Sequence, residues 1–173
     1  TVVDGLLQLM GHARKDLLII SPYFVPGPDM LQAFAAARAR GVRVRVLTNS
    51  LASNDAPIAH AGYARHRPAL LAMGVELFEM RSELTGLRGA FSTTGSTGGS
   101  RAMLHSKLLV MDGRLLVVGS MNLDQRSQRQ NAEIALLIRS KDLSGRVTER
   151  IEQALGALAW QVTQSPDQPL RWH

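Results

Sequence analysis

The apolar positions in the first half of the chain alternate between helical and strand-like spacing. Apolar residues three or four positions apart predict helices over residues 2–14, 29–40 and 60–73, the last interrupted near Pro68. Short apolar or alternating runs predict strands at residues 17–20, 42–47 and 75–78. Gly41 and Gly74 stand where the second and third helices should end. This order predicts parallel strands with helices packed against them.

Hairpin spacing replaces this alternation in the second half. Strands are predicted at residues 104–111, 115–119 and 131–138, and Asp112-Gly113 between the first two is a tight-turn signal. Apolar residues at helical spacing from Val147 to Leu158 predict a closing helix. The predicted fold class is α/β, with a mixed, largely parallel sheet flanked by helices on both faces. A length of 173 residues predicts one domain over residues 1–173.

Residues 82–103 differ in composition from the rest of the chain. Gly, Ser and Thr dominate this segment, and residues 92–100 contain almost nothing else. Such a composition predicts a flexible loop. The loop is either an insertion that the fold tolerates or a mobile lid. Its position favours a lid, because the loop ends just before residues 104–138, which contain the candidate catalytic residues.

Composition and charge exclude several classes of protein and of functional site. The chain is 45% hydrophobic and contains no Cys, which excludes a disulfide framework, a thiolate zinc site and a cysteine nucleophile. Lys and Arg number 20 against 14 Asp and Glu, a net charge of +6. This excess suits a phosphate-bearing partner such as nucleic acid or anionic lipid, although many domains carry it without one. No apolar run approaches the roughly 20 residues of a membrane span, and a start at Thr1 suggests an excised piece of a longer protein.

His105 and Lys107 are the first candidates for chemistry. Alternate residues of a strand share a face, so the two side chains point the same way, with Cα atoms about 6.6 Å apart. An imidazole and a fixed cation on one face can act together on one anionic group. Asp112 faces away from them by the same alternation and is predicted to be structural, tying the hairpin together through backbone hydrogen bonds.

Gly119, Ser120 and Asn122 follow the return strand of this hairpin. The pairing brings them beside His105 and Lys107, where Gly119 permits close backbone approach and the other two offer neutral donors to phosphate oxygens. An ordinary polar turn is the alternative.

Glu133 lies in the otherwise apolar run from Asn131 to Ile138. A carboxylate in such a strand needs a partner, and an imidazole N–H is a good one because the bond fixes the tautomer and stabilises the imidazolium. A water-exposed Glu on an edge strand is the alternative.

Residues 105–112, with His105, Lys107 and Asp112 in register, match the HKD signature of the phospholipase D superfamily. Residues 119–127 and Asn131-x-Glu133 resemble that family's extended motif. Three upstream segments are similar to the C-terminal half of bacterial cardiolipin synthases: residues 21–26, 47–51 and 60–63. The resemblance covers nearly the whole chain apart from the Gly/Ser/Thr loop.

This resemblance implies a phosphatidyltransferase that works through a phosphohistidine and needs no metal or other cofactor. His105 would attack phosphorus, and Lys107 and Asn122, helped by Ser120, would hold the non-bridging oxygens. Glu133 would orient an active-site histidine. A second histidine, from a second HKD motif, would protonate the leaving alcohol.

Only one HKD motif is present, whereas active sites of the family use two. His12, His60, His66 and His173 lack the following x-Lys-x4-Asp. The chain is therefore expected to carry half a site, completed by a missing N-terminal region or by a homodimer mate.

Three functions remain open on the sequence. The leading one is the C-terminal catalytic half of a phosphatidyltransferase that acts on anionic phospholipid at a bacterial cytoplasmic membrane surface, or from the cytoplasm. The second is a metal-independent phosphodiesterase that cuts nucleic acid as a dimer. The third is a non-catalytic interaction domain.

Overall fold

The computed structural model describes residues 2–50, 57–81, 107–120 and 134–173. Within these ranges eight strands form one sheet, in the order β6-β5-β4-β1-β2-β3-β7-β8. The strands are β1 (Asp16–Ile20), β2 (Arg43–Asn49), β3 (Glu76–Met80), β4 (Lys107–Met111), β5 (Leu115–Gly119), β6 (Ala135–Arg139), β7 (Ala159–Thr163) and β8 (Arg171–Trp172). The helices are α1 (Val2–Met10), α2 (Pro28–Ala39), α3 (Pro57–Ala64), α4 (Arg67–Ala72) and α5 (Lys141–Leu158). None of these helices is both long and apolar enough to cross a lipid bilayer.

The predicted α/β class and mixed sheet are confirmed, but the sheet is not largely parallel. Among the strands that the structure describes, only β1–β2 and β2–β3 pair in parallel, and the other five strand pairs are antiparallel. The physical reason lies in the connections. Helical crossovers return the chain in the same direction between β1, β2 and β3, whereas a short turn over residues 112–114 reverses it between β4 and β5.

Helices cover both faces of the sheet, as predicted. Alternate strand residues divide between two cores, so that Leu17 belongs to one and Leu18 to the other. The first core takes its helical residues from α1, α2, α3 and α4, including Met10, Phe34 and Leu70. The second core lies between α5 and the opposite face of the sheet.

Two glycines end helices as the sequence predicts. Gly41 and Gly74 follow α2 and α4 with φ of 82° and 88°, a conformation that side chains with a Cβ rarely adopt. The expected break near Pro68 is the separation of α3 from α4.

Several predicted segments differ or lie outside the described residues. The strand after the hairpin is predicted at residues 131–138, and the structure has this strand, β6, at Ala135–Arg139. The predicted loop over residues 82–103 lies outside the described ranges. The sequence pattern did not predict β7 and β8, which pair with each other and join the sheet through β3.

Candidate active site

Three described candidate residues, Lys107, Gly119 and Ser120, lie together where the strands of the sheet end. The parallel strands β1, β2 and β3 all end there, and the antiparallel β4 begins there at Lys107. Gly119, at the end of β5, pairs with both Lys107 and Ala135. Ligands of open α/β sheets bind outside the carboxyl ends of the parallel strands, which is this edge.

Lys107 is buried at this edge, with 6% of its surface exposed. Its Nζ lies 6.0 Å from the centroid of the Tyr23 ring, where the negative face of the aromatic system attracts a cation. Along the register Lys107 pairs with Gly119, which pairs in turn with Ala135, and both are among the smallest residues. The arrangement keeps a cation out of bulk water beside two register positions with little side-chain volume.

Ser120 continues the ladder between β5 and β6 by one step. Its N–H donates to the carbonyl of Ile134 at 3.1 Å, and its Oγ accepts from the N–H of Ile134 at 3.3 Å. The hydroxyl is exposed and keeps its own hydrogen for donation. These bonds fix Ser120 one residue beyond Gly119, at the same edge as Lys107.

Asp112 lies at the opposite end of β4. Its Oδ1 accepts from the N–H of Lys15 at 2.7 Å and of Asp16 at 3.0 Å, and its Oδ2 accepts from the N–H of Arg14 at 3.0 Å. The predicted backbone hydrogen bonds are present, but they tie the turn to the segment that leads into β1, not the two hairpin strands to each other. The β1–β4 pairing explains this target, because it places the start of β1 beside the end of β4.

The pKa of Asp112 reflects these contacts. Partial burial raises the pKa of the carboxyl, but the N–H donors of Asp16, Lys15 and Arg14, with the charge of Arg114, outweigh that effect. The net pKa is lower than that of an ordinary Asp, so the carboxylate is ionised at neutral pH.

His105, Asn122 and Glu133 lie outside the described residues. Their placement beside Lys107 stays a prediction from the sequence. Within the described ranges, no group of three or more His, Cys, Asp and Glu side chains is arranged to hold a metal ion.

A buried ionic network near the same edge was missed by the sequence analysis. Arg67 donates from Nη2 and Nε to Glu79, whose surface is 1% exposed, and the Nε contact measures 3.1 Å. Trp172 donates its indole N–H to Glu79 at 3.0 Å. His60 lies 3.3 Å from the Nη2 of Arg67 through its Nε2. The network links α3, α4, β3 and β8.

His60 is neutral in this network. A guanidinium can only donate, so the Nε2 of His60 must accept and the proton must reside on Nδ1. Burial lowers the pKa of His60, and the positive charge of Arg67 lowers it further, against smaller opposing effects of Glu79 and the Asn49 backbone. The sequence held one signal for the network: Glu79 shares the face of the buried Leu77 in β3, so its carboxylate needs a partner, as argued for Glu133.

Residues 6–155 match the family described as "Cardiolipin synthase, PLD-like domain". The chain therefore belongs to the phospholipase D-like family of cardiolipin synthase domains.

Similar curated proteins include cardiolipin synthase C of Escherichia coli, 39% identical over 160 residues that cover 91% of this chain and 33% of the relative. Cardiolipin synthase A of Pectobacterium carotovorum is 34% identical over 135 residues, covering 78% of this chain and 24% of the relative. The chain thus spans a third or less of the length of these two relatives.

Solved structures show the same fold at low identity. Nuc from Salmonella typhimurium, a phospholipase D family member, aligns with a TM-score of 0.65 at 19% identity, covering 95% of this chain and 92% of its own. Phosphatidylserine synthase from Haemophilus influenzae aligns with a TM-score of 0.64 at 19% identity, covering 91% of this chain and 36% of its own. At this identity the likeness concerns the fold alone.

Proposed function

We propose that this chain supplies one half of the active site of a phospholipase D-type phosphatidyltransferase. The observation that carries the proposal is the buried Lys107 at the carboxyl edge of the sheet, with Gly119 and Ser120 beside it. A cation and neutral donors at one edge suit a phosphodiester, whose two non-bridging oxygens share a negative charge. Membership of the cardiolipin synthase domain family supports a lipid phosphodiester as the substrate.

The proposed reaction is a double displacement at phosphorus. The imidazole of His105 attacks, the P–N bond forms and the P–O bond to the leaving alcohol breaks. A histidine from the second half of the site donates a proton to the leaving oxygen. An acceptor alcohol then gives up its proton to that histidine and attacks phosphorus, which breaks the P–N bond and transfers the phosphatidyl group; water in its place gives hydrolysis.

The remaining site residues have supporting roles in this proposal. Lys107 and Asn122, with the hydroxyl of Ser120, hold the non-bridging oxygens while charge redistributes. Glu133 orients an active-site imidazole, as a carboxylate does in hydrolase triads. Gly119 leaves room for the phosphate, and Asp112 holds β4 in place from its far end.

The second half of the site comes from another polypeptide segment or from a second copy. One imidazole bonded to phosphorus cannot also donate a proton on the opposite side, so the single HKD histidine is insufficient. The greater length of the curated relatives favours a longer chain with both halves. With an anionic phospholipid as the substrate, the enzyme acts at a membrane surface.

A second candidate is a metal-independent phosphodiesterase that acts on nucleic acid as a homodimer. The observation that favours it is the match to Nuc, whose own chain is covered almost completely by this single domain. A domain that binds a partner without catalysis is the third possibility, and a turnover assay separates it from both enzymes.

The test uses the longest natural chain that contains this sequence. Phosphatidylglycerol labelled with ³²P and single-stranded DNA are supplied separately in the presence of a metal chelator, with the His105→Asn variant as the control. We expect transfer or hydrolysis of the lipid, and an acid-labile ³²P label on the wild-type protein alone. Cleavage of DNA without lipid turnover would replace the proposal by the second candidate, and no turnover of either would favour the third.

A further inference from the structure

An open groove runs between α1 and the edge strand β6, on the sheet face that α1 partly covers. One part, of about 470 Å³, is lined by α1 from Val2 to His12 and by Val117, Ala135 and Leu137. A second part, of about 570 Å³, continues past Leu9 and His12 to the hairpin between β4 and β5. Because both parts share Leu9 and His12, they form one groove along the length of α1, roughly 15 Å.

The two ends of the groove differ in chemistry. Its long walls are apolar, from Leu9, Val117 and Leu137, and the Leu137 side chain is 56% exposed. The hairpin end is cationic, with Arg114, Arg139 and Lys141 lining it together with His12.

Few negative charges oppose these cations. Asp112 is the carboxylate among the described lining residues, and three backbone N–H groups already engage it. Asp142, next to Lys141, lies 3.5 Å from Arg146 one turn further along α5. A net positive charge therefore remains at the mouth of an apolar groove, and an anion with an apolar tail matches both features.

We propose that this groove binds an anionic amphiphile. Its tail lies along Leu9, Val117 and Leu137, and its anionic head meets Arg114, Arg139 and Lys141. The proposed position of the head is separate from the phosphate site, because Lys107 and the hairpin lie at opposite ends of β4, about 13 Å apart. The tail end of the groove reaches Ala135, which pairs with Gly119. The proposal does not depend on the proposed catalytic function.

The sequence provides matched controls for the test. Leu136 and Leu137 are neighbours in β6 with 59% and 56% exposure, and they point to opposite faces of the sheet. Leu137→Gln therefore alters the groove, whereas Leu136→Gln makes the same change outside it. For charge, the double variant Arg139→Gln/Lys141→Gln alters the cationic end, and Arg65→Gln removes an exposed cation that follows α3.

The probe is dodecyl phosphate below its micelle concentration, and binding is measured by isothermal titration with the longest natural chain. Dodecyl maltoside tests the tail without the charge, and inorganic phosphate tests the charge without the tail. We expect saturable binding of dodecyl phosphate that is weakened about five- to tenfold by Leu137→Gln and to a similar extent by the double variant. Leu136→Gln and Arg65→Gln should bind as the wild type does.

Four binding results would overturn the proposal, and two further results would assign the probe or the groove differently. They are no binding of dodecyl phosphate, equal weakening by Leu136→Gln and Leu137→Gln, equal binding of dodecyl maltoside, and binding of inorganic phosphate as tight as that of dodecyl phosphate. Binding lost in Lys107→Ala but kept in the double variant would place the probe at the phosphate site and also contradict it. Self-association abolished by Leu137→Gln alone would assign the groove to a second copy instead. Because His105→Asn should bind the probe normally, a failure of catalysis and a failure of this site give different results.

Discussion

Lys107 and Asp112 belong to one sequence motif, yet the structure uses the two ends of β4 differently. Lys107 opens the strand as a buried cation near the Tyr23 ring, with Gly119 as its partner in β5. Asp112 follows the strand, and backbone N–H groups from three consecutive residues, Arg14 to Asp16, satisfy its carboxylate. The motif therefore joins a buried cation, which we propose binds the phosphate, to an anchoring end, and substitutions at the two ends should have separable effects.

The largest expected effect is at the catalytic end, in His105→Asn. If His105 forms the bond to phosphorus, an amide in its place has no nucleophilic nitrogen and turnover should fall below detection. The measurement is the turnover of labelled phosphatidylglycerol together with the melting temperature, which should stay near that of the wild type. Activity close to the wild-type level would remove His105 from the covalent role.

Lys107→Ala should follow, with a loss of about two orders of magnitude in kcat, comparable to the removal of one charge-stabilising donor. The control is Lys15→Ala, which removes an exposed lysine side chain near the far end of β4 and should leave kcat within about twofold. A loss of less than tenfold in Lys107→Ala would mean that the ammonium does not contact the reacting phosphate.

Asp112→Asn should show the opposite pattern, with a loss of stability and little change in the turnover of folded protein. The amide oxygen can still accept from the N–H groups of Lys15 and Asp16, but the NH2 group cannot accept from Arg14 and the charge is lost. We therefore expect the free energy of unfolding to fall by about 2 kcal/mol. In a chain of this length that lowers the melting temperature by about 4–8 °C. An unchanged melting temperature with lost turnover would place Asp112 in the site.

The pH dependence of stability checks the same assignment. The pKa of Asp112 is lower in the folded state than in an ordinary Asp, so its contribution to stability is complete at neutral pH. The contribution is lost as the pH falls below about 4, the ordinary range of the group, towards the lower folded pKa. Asp112→Asn should therefore bring the stability curves of variant and wild type together in acid; a constant difference down to pH 2 would contradict this.

The sequence predicts the anchoring end and the first half of the fold well because their signals are local. Gly41 and Gly74 end helices through backbone conformations that glycine adopts easily, and Asp112-Gly113 specifies a turn from two adjacent residues. Whether the strands of the sheet pair in parallel or antiparallel was harder to predict, because β4 pairs with β1 across about 90 intervening residues. No local pattern specifies that partner.

The same limit applies around the candidate site. Ser120 and Lys107 are brought together by the hairpin, so the pattern of residues 104–119 was enough to predict their proximity. The Arg67–Glu79–His60 network joins elements that are distant in sequence, and Trp172 reaches Glu79 from β8, which the sequence analysis did not predict. The expected burial of Glu79 indicates that its carboxylate needs a partner, but the sequence does not show which residue that partner is.

The smallest expected effect isolates the backbone of the anchoring end. Asp112 and Gly113 have φ of 54° and 62°, and a Cβ at Gly113 would meet no atom within 4 Å, so Gly113→Ala tests conformation without a steric clash. Alanine in this left-handed region should cost about 1 kcal/mol of stability. Gly145 in α5 is the matched control: it also has no atom within 4 Å of an added Cβ, but it lies within a helix, so Gly145→Ala should stabilise by about 0.5–1 kcal/mol. Urea unfolding of both variants should give changes of opposite sign with unaltered turnover of the folded protein. Equal changes would show that the hairpin turn tolerates a side chain, and that Asp112 holds the end of β4 without help from the turn.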